Sequence, residues 1–316
     1  VNPGEPTPIA GIRYYTPPGD GLVTGLDGKV QIPLNSFPVP LLEDDFPALE
    51  GQYPSYDAVG RGIYHVLRAN PDCAYGERYA RILQDAYPHF LAEMASHIVM
   101  LDKKDVDVAY LDRKINYLKI FALIEPANFR FPLEIGLVYM DKGLRLSALH
   151  LTTMSLYRAE EFLREARSLS PEDDSARHQL GEVSYLLGKY DAASDCWRGI
   201  VTQLDGDEAA KLERRLARIA EGMVPKVPAV DYLEAIGAAF ALHQQGEFEE
   251  ASAILLDVLD DSVFREEFPL PEIPYILGRC CQNLGMPRDA EYYFSAALQI
   301  NPAYTEAQDA LAAISA

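Results

Sequence analysis

From Ser55 onward, apolar residues recur every three or four positions, the spacing that lays one apolar stripe along an α-helix. The first stripe is Val59, Ile63 and Val66. Ser55 precedes it as a residue whose hydroxyl can take an orphan amide of the first turn, and Asn70-Pro71 closes it. A second helix is expected from about Gly76 through Tyr79, Leu83 and Ala86. Pro88 then breaks the backbone ladder and restarts the chain into a segment reaching Leu101. Val108, Leu111, Ile115, Leu118 and Phe121 place another helix over about 106–124, closed by Pro126. Further on, Leu212, Leu216 and Ile219 share one side of a helix over residues 208–223.

Residues 1–54 follow a different pattern. Prolines recur from Pro3 to Pro54, each removing a backbone donor and fixing φ, so a regular helix cannot form and an extended arm is expected. Within it, Leu22-Val23-Thr24-Gly25-Leu26 and Lys29-Val30-Gln31-Ile32 flank Asp27-Gly28, a pair suited to the tight turn of a β-hairpin. Ile32, Leu34, Phe37, Val39, Leu41, Leu42, Phe46 and Leu49 are too many apolar side chains for a solvated linker. The arm should therefore wrap along a folded body.

Self-comparison at a fixed period gives the strongest signal. Aligning the segment from Pro271 with that from Asp174 places Leu277-Gly278 on Leu180-Gly181, Leu284-Gly285 on Leu187-Gly188, Ala290 on Ala193 and Phe294 on Trp197. The segment from Tyr232 joins the frame with Ala238-Ala239, Gln245-Gly246, Phe248, Ala251 and Leu255. Gly278 with Ala290, and Gly181 with Ala193, put small residues where two antiparallel helices would cross closely, while Gly188, Gly246 and Gly285 fall where a first helix must stop. The bulky Phe294 and Trp197 are expected to fill the space between successive pairs. A further unit starts at Phe129, with Ile135-Gly136, Tyr139 and Lys142-Gly143 on its first helix and Ala159, Leu163, Ala166 and Pro171 on its second. It carries an apolar, helix-compatible insertion between Leu144 and Arg158.

These units resemble the tetratricopeptide repeat, and the Pro271 unit matches that family's offsets at Leu277, Gly278, Gly285, Ala290, Phe294, Ala297 and Pro302. The Asp174 unit departs by lacking the closing proline and by Ser184; the Tyr232 unit departs by Ala238-Ala239 and a few extra residues around Phe268-Pro269-Leu270. The resemblance implies an all-α fold: a right-handed superhelical stack of antiparallel helix pairs over residues 129–316, with Ala307, Ala310, Leu311 and Ile314 facing inward on a terminal capping helix. Residues 55–128 are expected to be non-consensus helical pairs, behind the arm at 1–54. The resemblance also implies a concave groove lined by first helices. Carried over by position, its lining is His178, Glu182 and Tyr185; Leu233, Ile236, Phe240 and His243; and Glu272, Tyr275, Arg279 and Gln282. The Lys and Asn set with which some family members clamp a C-terminal carboxylate is missing. The arm itself is a second candidate occupant of the groove.

Composition narrows the function classes. Apolar residues make up 48 % of the chain, enough for a sizeable core, and a formal net charge of -20 opposes non-specific binding to nucleic acid or anionic membranes. The same charge favours a basic partner. Cys73, Cys196, Cys280 and Cys281 are too few for a disulfide framework, and a reduced, cytoplasmic setting is expected. His89, Glu93 and His97 share a helix face, but histidines eight residues apart are about 12 Å apart along the axis, too far to share one ion directly. Gly19, Gly21, Gly25 and Gly28-Lys29 fail the phosphate-loop pattern, since Val23 occupies its first glycine position and Val30 its Ser/Thr position. With no catalytic constellation, metal or cofactor indicated, the expected function is a non-enzymatic scaffold binding a protein or peptide segment in its groove. The alternative is a structural subunit that assembles, as a homo-oligomer, through the arm and the basic helix. On that helix, Lys211, Arg214, Arg215 and Arg218 form one arc, which reads as a solvated face with intrahelical partners such as Glu208, Glu213 and Glu221 or, alternatively, as a docking patch that would suit an acidic segment.

Overall fold

The computed structural model describes residues 6–17, 21–25, 28–34, 37–46, 53–103 and 107–315, and divides them into two compact units. Unit 1 comprises residues 1–138 with 168–170, and unit 2 comprises 139–167 with 171–316. Asp27, half of the expected turn, and Leu49 lie outside the described residues.

In unit 1 the arm forms two antiparallel strand pairs. β1 (Ile12–Tyr15) pairs with β4 (Val39–Leu42), Ile12 opposite Leu42. Between them, β2 (Leu22–Gly25) pairs with β3 (Val30–Pro33), Gly25 opposite Val30. Gly28 has φ 87°, in the left-handed region that glycine favours. The β1–β4 pairing is an addition to the expected hairpin. Pro40 and Pro33 obscured the strands in the sequence, yet every strand of a two-stranded sheet is an edge, where a proline whose nitrogen faces outward costs no ladder bond.

Four helices carry the arm: α1 (Tyr56–Ala69), α2 (Gly76–Ala86), α3 (Pro88–Asp102) and α4 (Val108–Ile124). The Ser55 side chain accepts from the Ala58 amide at 3.2 Å and Asn70 ends α1, as the pattern predicts. Strand β4 lies on α1, so closely that a Cβ added to Gly62 would stand 1.9 Å from the Pro40 carbonyl oxygen. Leu34, Val39 and Leu41 enter one core with Val59, Ile63, Val66, Tyr79 and Leu83, and the Tyr79 hydroxyl donates to the Pro38 carbonyl at 2.6 Å. The arm therefore supplies part of the hydrophobic core of its own unit.

Helix α5 (Arg130–Leu144) runs across the division, and its last residues belong to unit 2. There the Tyr139 ring stacks on Phe162, centroids 5.8 Å apart, and the Thr152 hydroxyl donates to the Gly143 carbonyl at 2.8 Å. The insertion becomes a 3-10 turn over Leu146–Leu151 leading into α6 (Thr152–Leu169). Next come α7 (Asp174–Leu186) with α8 (Tyr190–Arg198), the single helix α9 (Gly206–Ala220), and α10 (Ala229–Gln245) with α11 (Phe248–Asp260). The short α12 (Ser262–Glu267), the pair α13 (Glu272–Asn283) and α14 (Pro287–Ile300), and α15 (Thr305–Ser315) complete the unit.

The repeat's logic is visible atom by atom. Gly188, Gly246 and Gly285 end α7, α10 and α13 with φ of 72°, 88° and 73°, where a side chain would be strained. A Cβ on Gly181 would lie 2.2 Å from Trp197 Nε1, and one on Gly278 2.6 Å from Phe294 and 3.2 Å from the Ala290 carbonyl oxygen. Trp197 and Phe294 therefore seat on the glycine of their own pair, while Arg215 of α9 lies against Trp197 and Ala310 of α15 clusters with Phe294. The cap behaves as expected, with Ala310 in one cluster with Phe294, Ala290 and Cys281, and Leu311 and Ile314 packed against it. All four cysteines are free; Cys196, Cys280 and Cys281 are buried, and burial pushes their thiols up.

Two features escape the periodicity. The 3-10 turn packs on α10, where Gly237 leaves room for Leu149, and the Thr153 amide donates to Glu234 Oε1 at 2.9 Å. The short α12 is capped by Asp261: Oδ1 accepts from the Val263 and Phe264 amides, while Oδ2 accepts from the Tyr232 hydroxyl at 2.9 Å and the Lys226 amide at 2.7 Å. Burial opposes charge on Asp261, yet these four donors together hold its pKa below the ordinary carboxylate value.

Candidate functional site

The expected groove residues separate into two groups. On α7, spacing of four and then three places His178, Glu182 and Tyr185 on one helix face, and helix α9 covers that face. Arg215 is buried and donates to Glu182 Oε1 at 2.7 Å and to Glu267 Oε1 at 2.5 Å. Its guanidinium lies 4.5 Å from the Tyr185 ring centroid and 5.6 Å from that of Trp197. Lys211 reaches Glu182 Oε2 at 3.1 Å; Arg218 pairs with Glu266 at 2.8 Å and with Glu267 at 3.2 Å; His178 Nδ1 lies 3.4 Å from Glu208. Arg214 is exposed. The cations that looked suited to docking an acidic segment are thus, Arg214 apart, engaged by carboxylates of the same unit. Burial opposes ionisation of Glu182, but Arg215 and Lys211 outweigh it and hold its pKa below the usual value. Burial pushes the Tyr185 hydroxyl up to about 12, with Glu267 adding to the shift.

The second group lies on α10 and α13. Leu233 and Ile236 are buried and so withdrawn from any groove, whereas Phe240, His243, Tyr275 and Arg279 are half-buried and Gln282 is exposed. The His243 ring meets Phe248 edge-on at 5.5 Å, and its Nε2 is buried without a hydrogen-bond partner. Burial, and then the charge of Arg279, lower the His243 pKa, so this imidazole is held neutral. The Arg279 guanidinium makes no hydrogen bond or ion pair among the described residues. The Tyr275 ring packs against Phe294 at 5.8 Å and Tyr304 at 5.3 Å, which fixes its orientation, and Glu272 Oε2 is buried without a hydrogen-bond partner among the described residues. Sequence position placed these side chains on first helices. It carried no sign that α9 would take one group as its own partners and leave the other.

The remaining candidates disperse. Glu93 accepts from the Tyr64 hydroxyl at 2.7 Å, His97 stacks on Tyr117 and His89 lies against Phe90. Among the described residues no group of three His, Cys, Asp or Glu side chains is placed to hold a metal ion, and no helix is long and apolar enough to cross a membrane.

The glycine–aromatic seating within pairs, repeated in α7–α8 and α13–α14, decides the architecture. The chain carries a tetratricopeptide-like array. No family model and no curated protein matches the sequence. Among solved structures, the MamA protein aligns over 67 % of this chain and 92 % of its own at 17 % identity, with a TM-score of 0.28. The thermophilic tetratricopeptide protein TTC0263 of Thermus thermophilus aligns over 59 % of this chain and 98 % of its own at 15 % identity, with a TM-score of 0.28. The tetratricopeptide domain of P58(IPK) aligns over 82 % of this chain and 64 % of its own at 15 % identity, with a TM-score of 0.34.

Proposed function

We propose that the chain is a non-enzymatic protein-interaction scaffold that holds a segment of a partner protein along α10 and α13. The observation that carries this reading is Arg279: a half-buried guanidinium without an acceptor among the described residues, in a chain whose formal net charge is -20. A half-buried cation that forgoes solvent without gaining a partner is unfavourable, and an incoming carbonyl or carboxylate removes that deficit. Neutral His243 beside it adds a polar ring without a second positive charge, while Phe240 and Tyr275 offer apolar and aromatic surface to a neighbouring side chain. At longer range the net charge favours a partner of positive net charge, steering encounter before the local contacts form.

The test is calorimetric titration of a partner, recovered by affinity purification on the wild-type chain, against Arg279→Glu and Tyr275→Ala. Each variant is expected to weaken binding about tenfold or more, the range of an interface hot spot. Unchanged affinity in both removes the α10–α13 face as the binding surface. The assembly alternative gains no support from the geometry, because Ile32, Leu34, Phe37, Val39 and Leu41 of the arm are buried in unit 1 and Lys211, Arg215 and Arg218 are paired within unit 2.

A further inference from the structure

Helix α9 has no counterpart in the helix pairs around it, and its attachment is unusual. Of its fifteen residues Leu212 and Arg215 are buried and Leu216 and Ile219 half-buried, so a guanidinium sits at the centre of the contact beside the apolar stripe. Carboxylates from two separate elements converge on it, Glu182 of α7 and Glu266 and Glu267 of α12, and the Tyr185 and Trp197 rings face the Arg215 guanidinium. Glycines with positive φ stand at both ends, Gly206 at 66° and Gly222 at 70°.

We propose that the acidic and aromatic face formed by α7, α12 and Trp197 is a receptor for an arginine-bearing amphipathic helix, and that α9 is its resident, displaceable occupant. The seated helix defines the chemistry recognised. It presents a lysine, an arginine four residues later and a second arginine three residues after that, with Leu212 beside them, as in Lys211, Arg215 and Arg218. A planar guanidinium held by two carboxylates and stacked on two rings is a geometry that lysine cannot reproduce. The partner is therefore a basic helix of another protein with arginines three residues apart, which gains the face when α9 lifts. Lifting uncovers the buried Tyr185 and Trp197 rings and leaves Glu182 and Glu267 without their cation, so the open face is costly until an equivalent helix takes the place of α9. This surface is separate from the α10–α13 face, and either can fail without the other.

The test uses a labelled peptide with the sequence of residues 205–222, titrated into the full chain and into Arg215→Ala, which weakens the resident helix. The peptide is expected to bind Arg215→Ala about tenfold or more tighter than wild type, because the competing intramolecular helix lowers the fraction of receptive chains. Binding should weaken with added salt and be lost in Arg215→Ala combined with Glu182→Gln and Glu267→Gln. A peptide with Arg215→Glu and Arg218→Glu should not bind. Absence of binding to folded Arg215→Ala overturns the proposal. Should that variant fail to fold, native hydrogen exchange of the unaltered chain decides: α9 amides exchanging well before those of α7 and α10 support a displaceable helix, and exchange only with global unfolding overturns it.

Discussion

At Gly278 one absent methyl group sets the distance between two helices. Gly278→Ala would bring a Cβ to 2.6 Å from Phe294 and 3.2 Å from the Ala290 carbonyl; the ring can turn aside, but the backbone oxygen cannot without shifting α14. Chemical denaturation should show a loss of about 1–3 kcal/mol, the usual range for overpacking. Gly285→Ala is the contrasting case, because nothing lies within 4 Å and only its φ of 73° resists a side chain, a cost of about 1–2 kcal/mol. Combining Phe294→Leu with each separates the two causes: it should recover part of the loss at Gly278 and none at Gly285. His243 offers a titration at the same scale. Its folded pKa lies below the ordinary 6.5, so the folded state binds fewer protons than the unfolded. Stability from this residue is intact above about 6.5 and declines as pH falls from there through the folded value. NMR titration should place the imidazole midpoint below 6.5. Arg279→Gln should raise it while leaving it depressed, since burial is the larger cause and the Arg279 charge the smaller.

Elements whose cause is local were legible. The Ser55 cap, the Asn70-Pro71 stop, the Pro88 restart and the glycine stops at 188, 246 and 285 each depend on residues within one turn, and each stands where the pattern put it. What escaped the sequence depends on distant partners. β1 reads as coil until β4 arrives from the far end of the arm to supply its ladder bonds, and Gly62 reads as a weak helix position until the Pro40 backbone rests on it. The candidate site divides the same way: position on a first helix was readable, but the capture of Glu182 and Tyr185 by α9 was not, since Lys211, Arg215 and Arg218 look like a solvated charge run until the opposing Glu266 and Glu267 fold into place. Asp261 is the sharpest test of such non-local wiring, since one carboxylate receives donors from the segment before α10, from α10 itself and from α12. Asp261→Ala removes a helix cap and leaves the Tyr232 hydroxyl and the Lys226 amide without their acceptor. A stability loss of about 2–4 kcal/mol in denaturant follows from adding a cap to buried unmet donors. In the intact chain its depressed pKa gives a contribution that is full above the ordinary value of 3.8 and lost as pH falls through the folded value.

Across the whole molecule, the arm shows how a proline-rich stretch can be part of a core. Its apolar residues already point to wrapping, and Leu34, Val39 and Leu41 are each fully buried and share a core with α1 and α2. Burying three such side chains is worth several kcal/mol in total, at about 1.5–3 kcal/mol apiece, a large share of a typical domain's net stability. Deleting residues 1–46 should therefore do more than shorten the chain. It strips the cover from Gly62 and the apolar face of α1, and removes the Pro38 carbonyl that accepts from the buried Tyr79 hydroxyl. Hydrogen exchange on the truncated protein should show α1 and α2 losing protection, with newly exposed apolar surface binding a hydrophobic dye. Supplying the arm in trans as a peptide of residues 6–46 should restore protection, because β4 and the residues leading into it carry the contacts that α1 and α2 need. If α1 and α2 keep full protection without the arm, the four helices hold their own core, and the strands are a covering layer that the unit can shed.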